Sequence, residues 1–268
     1  MGIILVTGAT DGIGFETTRE LATLGHEVVV HGRSEEKARH ARDAIQDAAP
    51  KAVLHLAHAD LTDPAAIQRM AQDLLSRLPH LDVLVNNAGV YMNEFRLTRD
   101  GFEMTLAVNY LAPFLLTNLL LPLLKRSDEP RVVTVASIAH QSGRIPFDNL
   151  NSERHFDGYH AYANSKLAVA LFAAELARRE PWLASNSLHP GVIGTKLLHA
   201  GFDMKGAPVT EGAQTPVFLA TSPAVKGMTG KYFDRCTAVR PSALAEDEQL
   251  AQQLWEWTAK ALRPWLPV

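Results

Sequence analysis

The sequence has little of what would set it apart from an ordinary globular chain. Cys236 is the one cysteine among 268 residues, so no intrachain disulfide can form, which fits a reducing compartment. The net charge is −3, with no basic excess to draw the chain to nucleic acid or anionic lipid. There is no internal repeat, no low-complexity tract and no linker rich in Gly, Ser or Pro, so no domain boundary is marked. The N-terminus lacks the basic segment of a secretory signal. Its apolar run Ile3-Ile4-Leu5-Val6 stops at Thr7-Gly8, far short of a membrane span. Gly2 does not open a myristoylation signal, because Val6 stands where Ser or Thr is required. The expectation is a soluble cytoplasmic chain with no membrane span and no nucleic-acid partner.

What is present is an ample apolar content. Hydrophobic residues make up 47 % and charged residues 21 %, and by surface scaling about 70 % of the extended chain's surface can be buried, so no disulfide or metal staple is needed. Short apolar runs alternate with longer amphipathic stretches. Strands are predicted at Ile3–Val6, Glu27–Val30, Ala52–Ala57, Leu81–Val85, Arg131–Ala136, Ala184–Leu188 and, more weakly, Lys231–Phe233. Helical patterns lie at roughly Gly12–Leu24, Glu35–Ala48, Pro64–Leu78, Arg99–Lys125 and Tyr159–Arg179. This spacing predicts βαβ units. The fold class is α/β: one domain over 1–268, a Rossmann-type doubly wound parallel sheet of about seven strands with helices on both faces, in three α/β/α layers. Gln141–Gly158 and Val192–Pro208 break the alternation after strand ends, where open α/β sheets bind ligands. The second belongs to a substrate loop at about 191–208. A tail helix at about 242–262 carries Leu250, Leu254 and Trp257 at helical spacing and is expected to pack on the domain.

Thr7-Gly8-Ala9-Thr10-Asp11-Gly12-Ile13-Gly14 follows the first strand and opens the first helix. Glycines there allow a tight turn and a close approach to a pyrophosphate, and the free N–H groups of the helix start attract its charge. The spacing is Gly-x-x-x-Gly-x-Gly rather than Gly-x-Gly-x-x-Gly, since Thr17 stands three residues after Gly14.

Further on come Asp60-Leu61, Asn86-Asn87-Ala88-Gly89, Asn109, Ser137, Tyr162-x-x-x-Lys166 and Pro190-Gly191-Val192 with Thr195. In this order, over about residues 3–195, the set resembles the short-chain dehydrogenase/reductase superfamily in its single-domain subclass. The long Ser137-to-Tyr162 gap, with Phe147-Asp148-Asn149-Leu150-Asn151-Ser152-Glu153, resembles the retinol-dehydrogenase-like subgroup, as does Val108-Asn109-Tyr110-Leu111-Ala112-Pro113-Phe114.

Tyr162 and Lys166 stand at i and i+4, on one helix face. Lowering a phenol by about 3 units takes about 4 kcal/mol. A cation roughly 4 Å away at an effective dielectric near 20 supplies about as much. Tyr162 is therefore the expected general acid/base, with Lys166 lowering its pKa. Alone, such a pair would read as surface residues; its company reverses that. Tyr159, a rival phenol, has Ala163 at i+4 and no cation. Pro113 has no N–H, so the Asn109 carbonyl loses its helical partner. The resemblance implies that this carbonyl holds a proton-relay water to Lys166 and that Ser137 hydrogen-bonds the reacting oxygen. The catalytic set is Asn109, Ser137, Tyr162 and Lys166.

Toward the cofactor, the second strand runs into His31-Gly32-Arg33-Ser34. A glycine stands where NAD-binding proteins hold an acid for the ribose 2′-hydroxyl. Arg33 follows, and a guanidinium can grip a 2′-phosphate. Asp11 weighs mildly the other way, because some NADP members of the superfamily carry a basic residue at that turn position. NADP(H) is favoured over NAD(H). The resemblance adds Asp60 and Leu61 at the adenine, Asn87, Ala88 and Gly89 beside it, Pro190, Gly191 and Val192 in the following turn, and Thr195 near the nicotinamide amide. Gly8, Thr10, Asp11, Gly12, Ile13 and Gly14 complete the cofactor set, together with Tyr162 and Lys166.

No metal site is expected: His55 and His58 fall on a strand and point to opposite faces. His140 and Cys236 are read as structural. Ile145, Phe147, Phe156, Val192, Ile193, Leu197, Leu198, Phe202 and Met204 suggest a pocket for an apolar aldehyde, ketone or alcohol. Two other readings stay open, a dinucleotide-binding regulatory protein without turnover and a sugar-nucleotide epimerase or dehydratase. The glycine spacing and chain length argue against the last. Homodimer pairing through the long helices and cover by the tail helix would bury the same apolar faces.

Overall fold

A computed structural model describes residues 1–267; Val268, the last residue of the expected domain, lies outside them. Strand and helix alternate as β1 (Ile3–Val6), α1 (Gly12–Thr23), β2 (Glu27–Gly32), α2 (Glu35–Ala48), β3 (Leu54–His58), α3 (Pro64–Arg77) and β4 (Val83–Asn86). Then come α4 (Met104–Leu106), a π-helical turn (Ala107–Leu111), α5 (Ala112–Leu124), β5 (Arg131–Val135), α6 (Gly158–Arg179) and β6 (Ala184–His189). The chain ends with α7 (Lys196–Gly201), α8 (Val209–Thr221), β7 (Tyr232–Asp234), β8 (Thr237–Val239) and α9 (Glu248–Ala261). Helix starts follow the capping side chains. Asp11, Ser34, Asp63, Asp157 and Asp247 each accept a bond from a backbone N–H of the first turn.

The sheet order is β3-β2-β1-β4-β5-β6-β7-β8, parallel except for the last pair. It reverses direction between β1 and β4, the switch point at which such sheets bind ligands. Strand alternation divides the core. Ile3 and Leu5 face the layer of α3, α5, α6 and α9, while Ile4 and Val6 face that of α1, α2 and α8.

The eighth strand exceeds the expected seven. β8 has three exposed residues and pairs antiparallel through a turn in which Arg235 (φ 46°) and Cys236 (φ 59°) are left-handed, so no apolar run announces it. α8 also went unforeseen, because Gly212 and Pro216 interrupt its helical pattern. The helix expected from Arg99 starts at Met104. A turn holds Gly101 at φ 83°, and the Glu103 carboxylate caps the N–H groups of Thr105 and Leu106, both at 2.8 Å. The run Met104–Leu124 is long and apolar enough to cross a membrane, and 83 % of its apolar 18-residue window is buried inside the protein. The added stretch before α6 docks on that turn: Asn151 accepts from the Glu103 N–H at 2.9 Å and donates to the Gly101 carbonyl at 2.7 Å.

The tail is shorter than predicted, a 3-10 turn at Ala243–Glu246 followed by α9. It covers the outer faces of α5 and α6. Trp255 stands edge-on to Phe114 at 4.7 Å, stacks on Phe172 at 5.8 Å and lies under the Arg179 guanidinium at 4.7 Å. Tyr110 and Thr258 share a 2.6 Å hydrogen bond beneath it. Replacing Trp255 with alanine removes all three ring contacts, and we expect a loss of about 3 kcal/mol. Urea denaturation would show this as a lower midpoint with unchanged slope.

Candidate active site

One cleft of about 960 Å³ opens along the C-terminal ends of the strands. Of the catalytic and cofactor residues expected from the sequence, Asn109 alone does not line it.

At one end lies the glycine turn. Gly8 (φ 65°) and Gly12 (φ 54°) are left-handed, and a Cβ at Gly14 would come within 2.2 Å of the Gly8 carbonyl oxygen. The backbone thus forms a cradle that side chains would fill. Its supports come from neighbouring strands. The Thr7 hydroxyl accepts the N–H groups of Asn87 (2.9 Å) and Ala88 (3.1 Å), and the Asn87 amide donates to the Thr7 carbonyl at 2.8 Å. His31 is wholly buried beneath the turn. Its Nδ1 accepts from the Gly8 N–H at 3.1 Å and its Nε2 donates to the Ala59 carbonyl at 3.2 Å. Burial pushes its pKa down to about 4, so the ring is neutral at pH 7.

Beside the glycine turn lie the cations. A Cβ at Gly32 would lie 2.8 Å from the Ala38 nitrogen and 2.9 Å from the Thr10 methyl, so no acidic side chain fits there. Arg33 Nε donates to Asp60 at 2.8 Å, and Asp60 also accepts from the Thr62 N–H and hydroxyl. These bonds and the Arg33 charge outweigh desolvation and hold the carboxyl below its ordinary value. Lys37, in the first turn of α2, lines the same end. The sequence reading missed Lys37 and His31. The Ser34 cap followed by a basic residue at the third helical position was a usable signal for Lys37; His31 looked like any strand residue.

At the other end, Tyr162 and Lys166 leave α6 on one face, with Ser137 at the end of β5 beside them. The expectation that Lys166 lowers the phenol is not met. Burial pushes Tyr162 up to about 12, opposed by the Ser137 hydroxyl and reinforced by Tyr91. The Lys166 ammonium donates to the Val135 carbonyl at 2.9 Å and stands 5.6 Å from the centre of the Tyr162 ring, over its face. Burial lowers Lys166 itself to about 8.

Asn109 sits behind this wall, on the π-helical turn that precedes Pro113. Its side-chain amide matters more than expected. Oδ1 accepts from the Val90 N–H at 2.7 Å, and Nδ2 donates to the Val90 carbonyl and the Ser165 hydroxyl, each at 3.0 Å. Ser165 in turn donates to the Tyr162 carbonyl at 2.7 Å.

The loop after β6 crosses the cleft. Asp11, the cap of α1, forms an ion pair with Lys196 at the start of α7. Val192, Ile193, Leu197, Leu198, Phe202 and Met204 line the cleft as expected. Ile145, Phe147 and Phe156 do not: Ile145 packs on the core, Phe147 is exposed and Phe156 rests on Phe95 at 5.8 Å. Tyr91, unforeseen, meets Tyr162 at 5.5 Å and Phe202 at 5.4 Å. Tyr159 stands at the rim and donates to Ser142 at 3.2 Å.

A family model described as short chain dehydrogenase matches residues 2–206. Retinol dehydrogenase 14 of Homo sapiens is 39 % identical, over 94 % of this chain and 84 % of that protein. The structure of an uncharacterized protein from Mycobacterium paratuberculosis superposes with a TM-score of 0.83 at 31 % identity, covering 100 % of this chain and 96 % of that one. A short chain dehydrogenase from Shigella flexneri 2a, complexed with NADP, gives 0.73 at 27 % identity, covering 88 % and 97 %.

The buried His31 generates a prediction. Its folded pKa is depressed from 6.5 to about 4, so the unfolded chain binds the extra proton first. This part of the stability is intact above pH 6.5 and falls by about 3 kcal/mol as pH drops to about 4. Urea titrations across this range would measure it, with His31→Gln showing a shallower loss.

Proposed function

Because the chain belongs to the short-chain dehydrogenase family and is an NAD(P)-dependent oxidoreductase, we propose that it prefers NADP(H) and acts on an apolar aldehyde or ketone, or the corresponding alcohol, with Tyr162 as general acid/base. The observation that carries this reading is the shared cleft: Ser137, Tyr162 and Lys166 line one end, and the glycine cradle and the cations Arg33 and Lys37 line the other.

Bound nicotinamide would supply or accept the hydride. The remaining work falls to the chain. Gly8, Gly12, Gly14 and the start of α1 would seat the pyrophosphate. Arg33 and Lys37 would meet a 2′-phosphate, and the exclusion of an acid at Gly32 removes the group that would hold a 2′-hydroxyl instead. The charge of Asp11, which weighs against this choice, is engaged by Lys196. The Ser137 hydroxyl would orient the reacting oxygen and Tyr162 would give it a proton. With its pKa near 12 the phenol is protonated at pH 7, the form that carbonyl reduction draws on. Leu197, Phe202, Met204 and Val108 leave the substrate end apolar. The name of the related retinol dehydrogenase points to the same substrate class.

Two outcomes follow. Tyr162→Phe keeps NADPH affinity within about twofold and lowers kcat by about 10³, read from cofactor absorbance with graded aliphatic, aromatic and isoprenoid carbonyls. Arg33→Ala with Lys37→Ala weakens NADPH by roughly 10 to 100-fold, as expected for lost charge-assisted bonds, and leaves NADH nearly unchanged in fluorescence titrations. Equal losses for both cofactors would refute the 2′-phosphate assignment.

A further inference from the structure

We propose that His140 and His189 form a clamp on the Ser137–Ile138 peptide and are positioning residues for the Ser137 hydroxyl. Two buried imidazoles grip this one peptide unit from opposite sides. His140 Nδ1 lies 2.7 Å from the Ser137 carbonyl, which also accepts the His140 N–H at 3.1 Å. His189 Nδ1 accepts the Ile138 N–H at 3.3 Å. Ser137 is the cap of the 3-10 turn Ile138–Ser142, its Oγ accepting from the Ala139 N–H at 3.2 Å. The orientation of this peptide therefore aims the hydroxyl into the cleft.

The partners fix the proton positions. A carbonyl only accepts, so His140 carries its proton on Nδ1. Its Nε2 accepts the Ser242 N–H at 3.0 Å and has none. His189 accepts at Nδ1 and so carries its proton on Nε2. A second proton on either ring would set N–H against N–H. The surroundings oppose it as well: burial lowers both rings, and Lys166, Arg235 and His140 lower His189 further, with Asp234 alone pulling it upward. The Tyr232 ring packs on His140 at 4.7 Å. Ser242 extends the clamp to the segment that leads into α9, tying the tail to the reacting end of the cleft.

The functional role rests on the reading of Ser137 given above, so the test has one arm that needs no turnover. In the full chain labelled with ¹⁵N-histidine, long-range ¹⁵N–¹H spectra assigned with His140→Asn and His189→Asn should show an Nδ1–H ring at 140 and an Nε2–H ring at 189. Both should be neutral at pH 7, as burial that lowers each ring from the ordinary histidine value requires. The opposite tautomer or an imidazolium at either position overturns the clamp even if the enzyme is inactive on every substrate tried. In the second arm, His189→Ala should lower kcat about tenfold with NADPH affinity unchanged. His189→Asn, whose Oδ1 can replace the Nδ1 acceptor without titrating, should recover most of kcat and move the acid limb of its pH profile downward. An alanine variant within twofold of the parent, or an asparagine variant with the parent's acid limb, would defeat the positioning role.

Discussion

Three elements far apart in sequence meet at the side-chain amide of Asn109. It brackets Val90 from both sides and bonds Ser165, which holds the Tyr162 carbonyl. The loop after β4, the π-helical turn and the start of α6 are thereby fixed against one another. Tyr162 and Lys166 depend on this bracket for their place over the cleft floor. A buried amide with its bonds made costs little, but with one partner lost it leaves polar groups stranded in a low-dielectric interior. The site is therefore rigid where proton transfer would occur.

The electrostatics of the reacting end differ from a simple cation-beside-phenol picture. Lys166 bonds the Val135 carbonyl and lies over the Tyr162 ring, and desolvation is the largest influence on both groups, favouring their neutral forms. At the other end, charges are kept and paired, Arg33 with Asp60 and Asp11 with Lys196. One end of the cleft thus holds exposed, paired charges and the other a buried phenol and lysine.

The cradle was legible in the sequence because left-handed turns and close backbone approach leave glycine as the natural choice, and that requirement shows at Gly8, Gly12 and Gly14. The face proposed to be catalytic was legible because Tyr162 and Lys166 are one helical turn apart. Residues acting through tertiary contact were not. His31, His189 and Tyr91 carry no local pattern, and the weight of Asn109 lies in an amide whose partners are 19 and 56 positions away. The direction of the Tyr162 shift was misread because spacing along a helix gives proximity but not burial. β8 and α8 escaped for a local reason: the first has no buried residue, and the second carries glycine and proline inside its span.

The tail helix has a consequence for how the chain acquires this structure. Its anchor at Tyr110 and Thr258 joins residues 148 positions apart. Until α9 arrives, the aromatic faces of Phe114 and Phe172 and the seat of Trp255 stand open to solvent. Contacts of such separation pay a loop-closure cost and form late. During folding the sheet and α6 can assemble first, with an oily stripe along α5 and α6 that stays adhesive until α9 docks. The window for misassociation therefore lasts until α9 docks.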